Sequence, residues 1–454
     1  MMVHVLPILI LAASAVALRR WRWGIFAAIW IGLVQDPLRK MIPGTPGLYA
    51  MSSLPVWFSV IVGAGLEGAI RVRAFAAQFP RISQALSAFV FYLPLPAAIS
   101  AGYGRNTAAI TALGALIYGS MFLMLCCGWR FAARPAAILR LLAFYAVAAS
   151  AFLIGGPLNY LGWNERFAAI GTEALGHVWV THRTGEAVYM LAGFFRGPDV
   201  MGWHAATVFM TAVILAVRAR GPSRFAWIAA AAWGLLNVWL CGRRKMVSMA
   251  PVFLVTYLAL GFRFHGVRRW AFSAALLLLT LFLGWHVSTT YLKTGAVERF
   301  YLTTLQEADV SVREHALDSV WETIRQAGFW GYGLGMGQQG IHHIDAELPR
   351  LWQESGPSKL FAELGVPGSL LFLWLLWRMG LTAYHALRRV AGTEFFPIAG
   401  GILSILVANL IAGLVSAQIF GDPFIAVLLA FLFGVLLSSV SLQPSRRDSS
   451  PCPV

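Results

Sequence analysis

Residues 241–245 read Cys241-Gly242-Arg243-Arg244-Lys245, a polar turn between apolar runs at about 223–241 and 246–262. Each run can cross a hydrocarbon layer of about 30 Å as a helix, so the turn joins two spans. Three adjacent cations at a membrane surface need a counter-charge. Arginine offers paired donors to phosphate oxygens and lysine a mobile point charge, which suits an anionic lipid headgroup such as a diphosphate. The plain alternative is snorkelling of the side chains at the interface.

The same alternation runs through the chain. Apolar residues make up 59% of the 454 positions and charged residues 12%, a composition outside the range of soluble domains. Apolar stretches of about 17–22 residues predict an all-α, polytopic integral membrane protein with about twelve or thirteen transmembrane helices. Their cores fall near 2–18, 23–38, 49–66, 85–101, 107–127, 136–155, 202–217, 223–241, 246–262, 269–288, 361–377, 395–418 and 422–441. The first run lacks a basic leader and is followed by Arg19, Arg20 and Arg22, which reads as a span and not as a cleavable signal peptide. Cys126, Cys127 and Cys241 lie in or beside apolar runs and Cys452 in the tail, so no disulfide framework is expected. The net charge of +16 reports topology and lipid contact in such a chain, not nucleic-acid binding.

Alternate loops concentrate arginine: Arg19/Arg20/Arg22, Arg71/Arg73/Arg81, Arg130/Arg134, Arg218/Arg220/Arg224, Arg263/Arg268/Arg269, Arg378/Arg388/Arg389 and Arg446/Arg447. The positive-inside bias makes that set cytoplasmic. Of the acids, only Glu67, Glu394 and Asp448 accompany it. The expected order is therefore N-terminal spans over 1–155, an extracytoplasmic loop over 156–201, central spans with the basic hairpin over 202–288, a second long extracytoplasmic loop over 289–360, C-terminal spans over 361–442 and a cytoplasmic tail over 443–454. The N-terminus is then outside and the C-terminus inside, with any chemistry on the extracytoplasmic face.

The outer segments hold the remaining candidates. Arg313 is either a solvated helix residue or a second clamp beside the hairpin, on a helical pattern marked by Leu317, Val320, Trp321 and Ile324. His342, His343, Asp345, Glu347, Glu354 and Glu363 include the residue types able to deprotonate a hydroxyl. His342-His343-x-Asp345 lacks the further ligands that a metal would need, so no metal or other cofactor is expected. In Gly193-Phe194-Phe195-Arg196-Gly197-Pro198-Asp199, glycine and proline set the entry of the next span. Arg196 and His204 could touch a polar substrate there, while Trp203 reads equally as an interfacial anchor. Asp36 either pairs locally with Arg39 or Lys40 or extends the cationic rim. Gly331-Tyr332-Gly333-Leu334-Gly335-Met336-Gly337 reads as a turn or close-packing segment.

Taken in order, these segments resemble the bacterial O-antigen ligase and O-antigen polymerase-like superfamily. The resemblance rests on Gly193 to Pro198 before a span, the basic turn Gly242 to Lys245, Arg313 followed by Trp321 and the Gly331–Gly337 run, and Glu354-Ser355-Gly356-Pro357-Ser358-Lys359-Leu360-Phe361-Ala362-Glu363-Leu364-Gly365-Val366-Pro367-Gly368. It covers residues 190–375; the N-terminal third is supported by topology alone.

The resemblance implies a helical membrane fold akin to the C-type glycosyltransferases. It implies metal-independent, inverting transfer of a glycan from an undecaprenyl-diphosphate-linked oligosaccharide to a hydroxyl of a glycan acceptor, on the periplasmic face. Arg243 or Arg244, with Arg313, would hold the donor diphosphate, and Lys245, Arg196 and Lys359 join them as substrate-binding candidates. Ligase-like members carry a His-Asn pair upstream of the Glu-Leu-Gly acid, where this chain has Glu354 and Ser355. Aligned without a gap, Glu354 becomes the base; with a gap, His342 or His343 does. That departure favours a polymerase of O-antigen, capsule or exopolysaccharide over a ligase acting on lipid A core. The bilayer, and a chain-length regulator or flippase, are the partners such an enzyme would have. A glycolipid transporter or flippase is the alternative from another class.

Overall fold

The computed structural model describes residues 2–104, 107–132, 135–181, 188–265, 278, 282, 319–338 and 355–441. Helices dominate, and a single two-residue antiparallel pairing, β1 (Val180–Thr181) with β2 (Val188–Tyr189), is the sheet among the described residues. The N-terminal helices are α1 (Met2–Arg19), α2 (Trp21–Lys40), α3 (Ser53–Leu66), α4 (Val72–Gln78), α5 (Pro80–Tyr92), α6 (Pro94–Ala101), α7 (Thr107–Phe131), α8 (Pro135–Phe152) and α9 (Gly155–Tyr160). The central set is α10 (Pro198–Arg218), α11 (Pro222–Leu240), α12 (Arg244–Val247) and α13 (Met249–His265). A short α14 (Ser319–Ala327) precedes α15 (Gly356–Val390), α16 (Phe396–Leu414), α17 (Gln418–Gly421) and α18 (Pro423–Ser441).

Among the described residues, eight helical stretches are long and apolar enough to cross a membrane. This is fewer than the twelve or thirteen expected. Helices α1 and α18 are apolar but shorter, α2 and α11 fall outside the eight, and the run at 269–288 lies outside the described residues but for Leu278 and Phe282. Proline opens α5, α6, α10 and α11, where its missing N–H would have had no partner. Helix α10 sits at the centre, with 89% of its apolar window buried. Close backbone approach locks α7 to α18: a β-carbon at Gly128 would lie 2.1 Å from Phe431 O, and one at Gly434 2.1 Å from Leu125 O.

Helix α15 breaks at Gly365, whose φ of 65° is left-handed, and Pro367 follows. The amides and carbonyls freed by this break are taken up by the glycine-rich segment. Val366 N donates to Phe329 O at 2.9 Å and Tyr332 N to Ala362 O at 2.7 Å, while Leu334 N donates to Pro96 O in the first turn of α6 at 3.1 Å. Gly333 and Gly335 have positive φ, and their missing β-carbons would lie 2.4 Å from Pro96 O and 2.3 Å from Ile110 O. The segment is thus a close-packed insert, with Leu334 and Met336 buried. Trp321 of α14 is 64% exposed, Val320 and Ile324 are half-buried and Thr323 is buried, so the expected apolar stripe is divided between the open and the packed side.

The ends of the helices sort by charge. Arg22 at the start of α2 donates to Phe131 O at the end of α7 (3.2 Å) and pairs with Glu67 after α3 (3.8 Å). Arg218 at the end of α10 pairs with Glu394 at 3.4 Å. The opposite ends of α2 and α10 meet each other through Asp36 and Arg196. Arg22 and Arg218 lie a helix length away from that contact.

Candidate functional site

The basic hairpin closes on Gly242, whose φ of 68° excludes a β-carbon without strain. Asp199, in the first turn of α10, sits 3.1 Å from Arg243 Nη2 and 3.1 Å from Lys245 Nζ. Arg243 also lies over the Trp179 ring at 4.7 Å. The three-cation turn therefore has an internal counter-charge, which the sequence reading did not anticipate. Among the described residues, Arg243 and Lys245 share one carboxylate, which leaves a positive excess there. Both are partly exposed, Arg243 at 20% and Lys245 at 25%, and among the described residues the Arg243 Nε has no hydrogen-bond partner. Arg244 begins α12 beside them. Asp199 was visible in the sequence as the acid after a Gly-Pro helix start, but nothing local pointed it at the hairpin.

Arg196 is placed differently. Its backbone N–H donates to Asp36 Oδ2 at 3.1 Å, its Nη1 donates to both Asp36 oxygens at 3.3 and 3.2 Å, and its Nη2 pairs closely with Asp422. Asp422 also accepts from Phe424 N at 2.9 Å at the start of α18. Burial works against the guanidinium charge, and the two carboxylates more than offset it, so Arg196 is held above the usual arginine value. Burial raises Asp422 above the ordinary carboxylate range against the pull of Arg196. Neither alternative for Asp36 holds: it is buried and bonds a residue 160 positions away. Arg39 instead donates to Thr45 O, and Lys40 donates to Gly193 O (3.1 Å) and Phe195 O (2.6 Å). Arg196 is thus a staple between α2, the loop before α10 and the start of α18.

His204 and Trp203 are both interior. The His204 ring stacks on Phe195 at 4.7 Å, with Nδ1 2.9 Å from the Tyr145 hydroxyl. Trp203 Nε1 donates to Asn409 Oδ1 at 2.7 Å, which corrects the interfacial-anchor reading. The reason is that α10 runs through the centre of the bundle and leaves its first turns no open side.

Lys359 and Glu363, one turn apart on α15, form a closely paired ion pair with 1% and 0% side-chain exposure. Glu363 also accepts from Tyr118 Oη at 2.8 Å and from Gly337 N at 3.2 Å. Glu363 was expected on an outer loop and Lys359 at a donor site; both lie inside, because the break at Gly365 and the glycine-rich insert enclose the turn that carries them. Gln338 Nε2 nearby is buried without a hydrogen-bond partner.

Arg313, His342, His343, Asp345, Glu347 and Glu354 lie outside the described residues. Among the described residues, no three His, Cys, Asp or Glu side chains converge as a metal site would require. No family model matches the chain, and no curated protein matches it.

Proposed function

We propose that this protein is a multi-pass membrane glycosyltransferase of the polysaccharide-polymerase kind. In this reading it takes glycan from an undecaprenyl-diphosphate-linked donor on the periplasmic face of the inner membrane and adds it to a sugar hydroxyl, with inversion and without a metal. The observation that carries the reading is the Arg243–Lys245–Asp199 cluster, partly open and, among the described residues, positive in excess, at the helix ends opposite Arg22 and Arg218. Asp199 and Trp179 fix the cluster without neutralising it. The acceptor oxygen attacks the anomeric carbon, the carbon–oxygen bond to the diphosphate breaks, and the diphosphate leaves with the electron pair. The acceptor proton passes to Glu354, or to His342 or His343. Cations that are already positioned stabilise the leaving charge without reorganising, and losing one such donor costs about 2.7–4 kcal/mol of barrier. Arg244 and Arg313 would complete the clamp.

A carrier of glycolipids is the second reading, favoured by the buried Lys359–Glu363 pair on a helix broken at Gly365. Purified protein given a polyprenyl-diphosphate oligosaccharide separates the two. Elongated glycan, unaffected by a chelator and lost in Arg243→Ala, supports the polymerase. Movement of the donor across a vesicle without elongation supports the carrier and overturns the polymerase.

A further inference from the structure

At the arginine-rich end, α1 and α2 are joined through the single residue Arg20, so Arg19 and Arg20 are held side by side and exposed. Below them lies a groove of about 660 Å³ lined by Val16, Trp23, Phe26, Ala27, Trp30 and Phe144. Its floor is an aromatic ladder: Phe26 packs edge-on against Phe144 at 5.1 Å, Trp23 lies 5.7 Å from Phe26, and Trp30 meets Phe152 at 5.6 Å. Trp23 and Trp30 are two turns apart on α2, so the groove runs about 10 Å along the helix axis from the arginines toward the apolar interior. Trp23 is 58% and Trp30 43% exposed.

Among the described residues, the charge at its mouth is not neutralised from within. Arg22 is occupied by Glu67, the Arg130 and Phe131 carbonyls and the Trp21 ring. Among the described residues no carboxylate pairs with Arg19 or Arg20. An acyl chain matches an apolar, aromatic trough, and a phosphate matches the two exposed guanidinium groups at its rim. An ordinary lipid-facing surface would accept any chain equally; the arginine pair adds selection by headgroup. We propose that this groove is a binding site for an anionic glycerophospholipid, its phosphate on Arg19 and Arg20 and one acyl chain along Trp23, Phe26 and Trp30. The positive-inside bias places the site in the cytoplasmic leaflet, where anionic lipids set the surface potential.

Native mass spectrometry of the full chain in mild detergent, titrated with phosphatidylglycerol or phosphatidylcholine of identical chains, tests this. Each arginine near an anionic group contributes roughly a five-fold factor, so wild type should retain phosphatidylglycerol roughly 25-fold better. The Arg19→Gln/Arg20→Gln double variant should lose that preference while keeping weak binding of both lipids. Trp30→Ala should weaken both lipids alike. Equal retention of the two lipids by wild type, or an unchanged preference in the double variant, overturns the proposal. Should the double variant fail to accumulate, high salt added to wild type decides: loss of the preference supports the site, and indifference to salt refutes it.

Discussion

Two charged clusters at the same helix ends draw on one loop and come out opposite in character. Arg196 and Asp199 are three residues apart, yet Arg196 is held by two carboxylates while Asp199 is shared between two cations; the three cations are similarly exposed, at 21%, 20% and 25%, so the count of counter-charges is what separates the clusters. The first cluster joins distant parts of the chain; the second leaves cationic donors available. The difference shows that a basic residue beside a membrane is informative only once its counter-charge is known. Of the two, the cluster with a surplus cation is the one we propose as a ligand site.

Replacing Arg196 should produce the largest effect. Arg196→Ala would leave Asp36 and Asp422 buried without a cation, a loss of about 3–5 kcal/mol. Thermal unfolding followed by size-exclusion chromatography should show poor accumulation, and a normal profile would show that the staple is dispensable. Lys359→Met follows, at about 3 kcal/mol, because Glu363 keeps Tyr118 and Gly337 N as partners but loses its cation. Adding Glu363→Gln should recover most of that loss; no recovery would mean that the pair is more than mutual neutralisation.

Arg243→Ala should change stability by about 1 kcal/mol or less, since Lys245 still holds Asp199 and the pair is partly solvated. Its effect belongs instead to turnover, a fall of about 10²–10³ on the proposed reaction. If Arg243→Ala unfolds the protein as Arg196→Ala does, the distinction between the clusters collapses. The smallest effect is expected for Arg22→Gln, whose pair with Glu67 is half exposed on both sides. Thermal unfolding should move by no more than about 1 kcal/mol, and a larger shift would mean that its carbonyl contacts across to α7 matter more than the ion pair.

Much of the architecture could be read directly, because a span announces itself by length and apolarity alone. Helices α7, α8 and α10 start within a few residues of their expected cores. The glycine-rich segment was legible as close packing, since a run of alternate glycines has no helical use. What it packs against was not: its partners Pro96 and Ile110 are more than two hundred positions upstream. Trp203 and His204 were misplaced for a related reason. Residues near the end of a span look interfacial in a hydropathy profile, whereas a helix at the centre of a bundle is buried to its first turn.

Composition and loop charge by themselves determined that this chain is a helical membrane protein and which helix ends share a charge character. Those properties follow from the solvation of single side chains, which does not depend on neighbours. Only the tertiary structure decided which cations are satisfied. Asp36 reaching Arg196, Asp199 reaching Arg243 and Lys245, and Glu363 reaching Tyr118 are long-range pairings. Whether a buried charge is stapled or available depends on how far it lies from its opposite in space, and packing alone sets that distance.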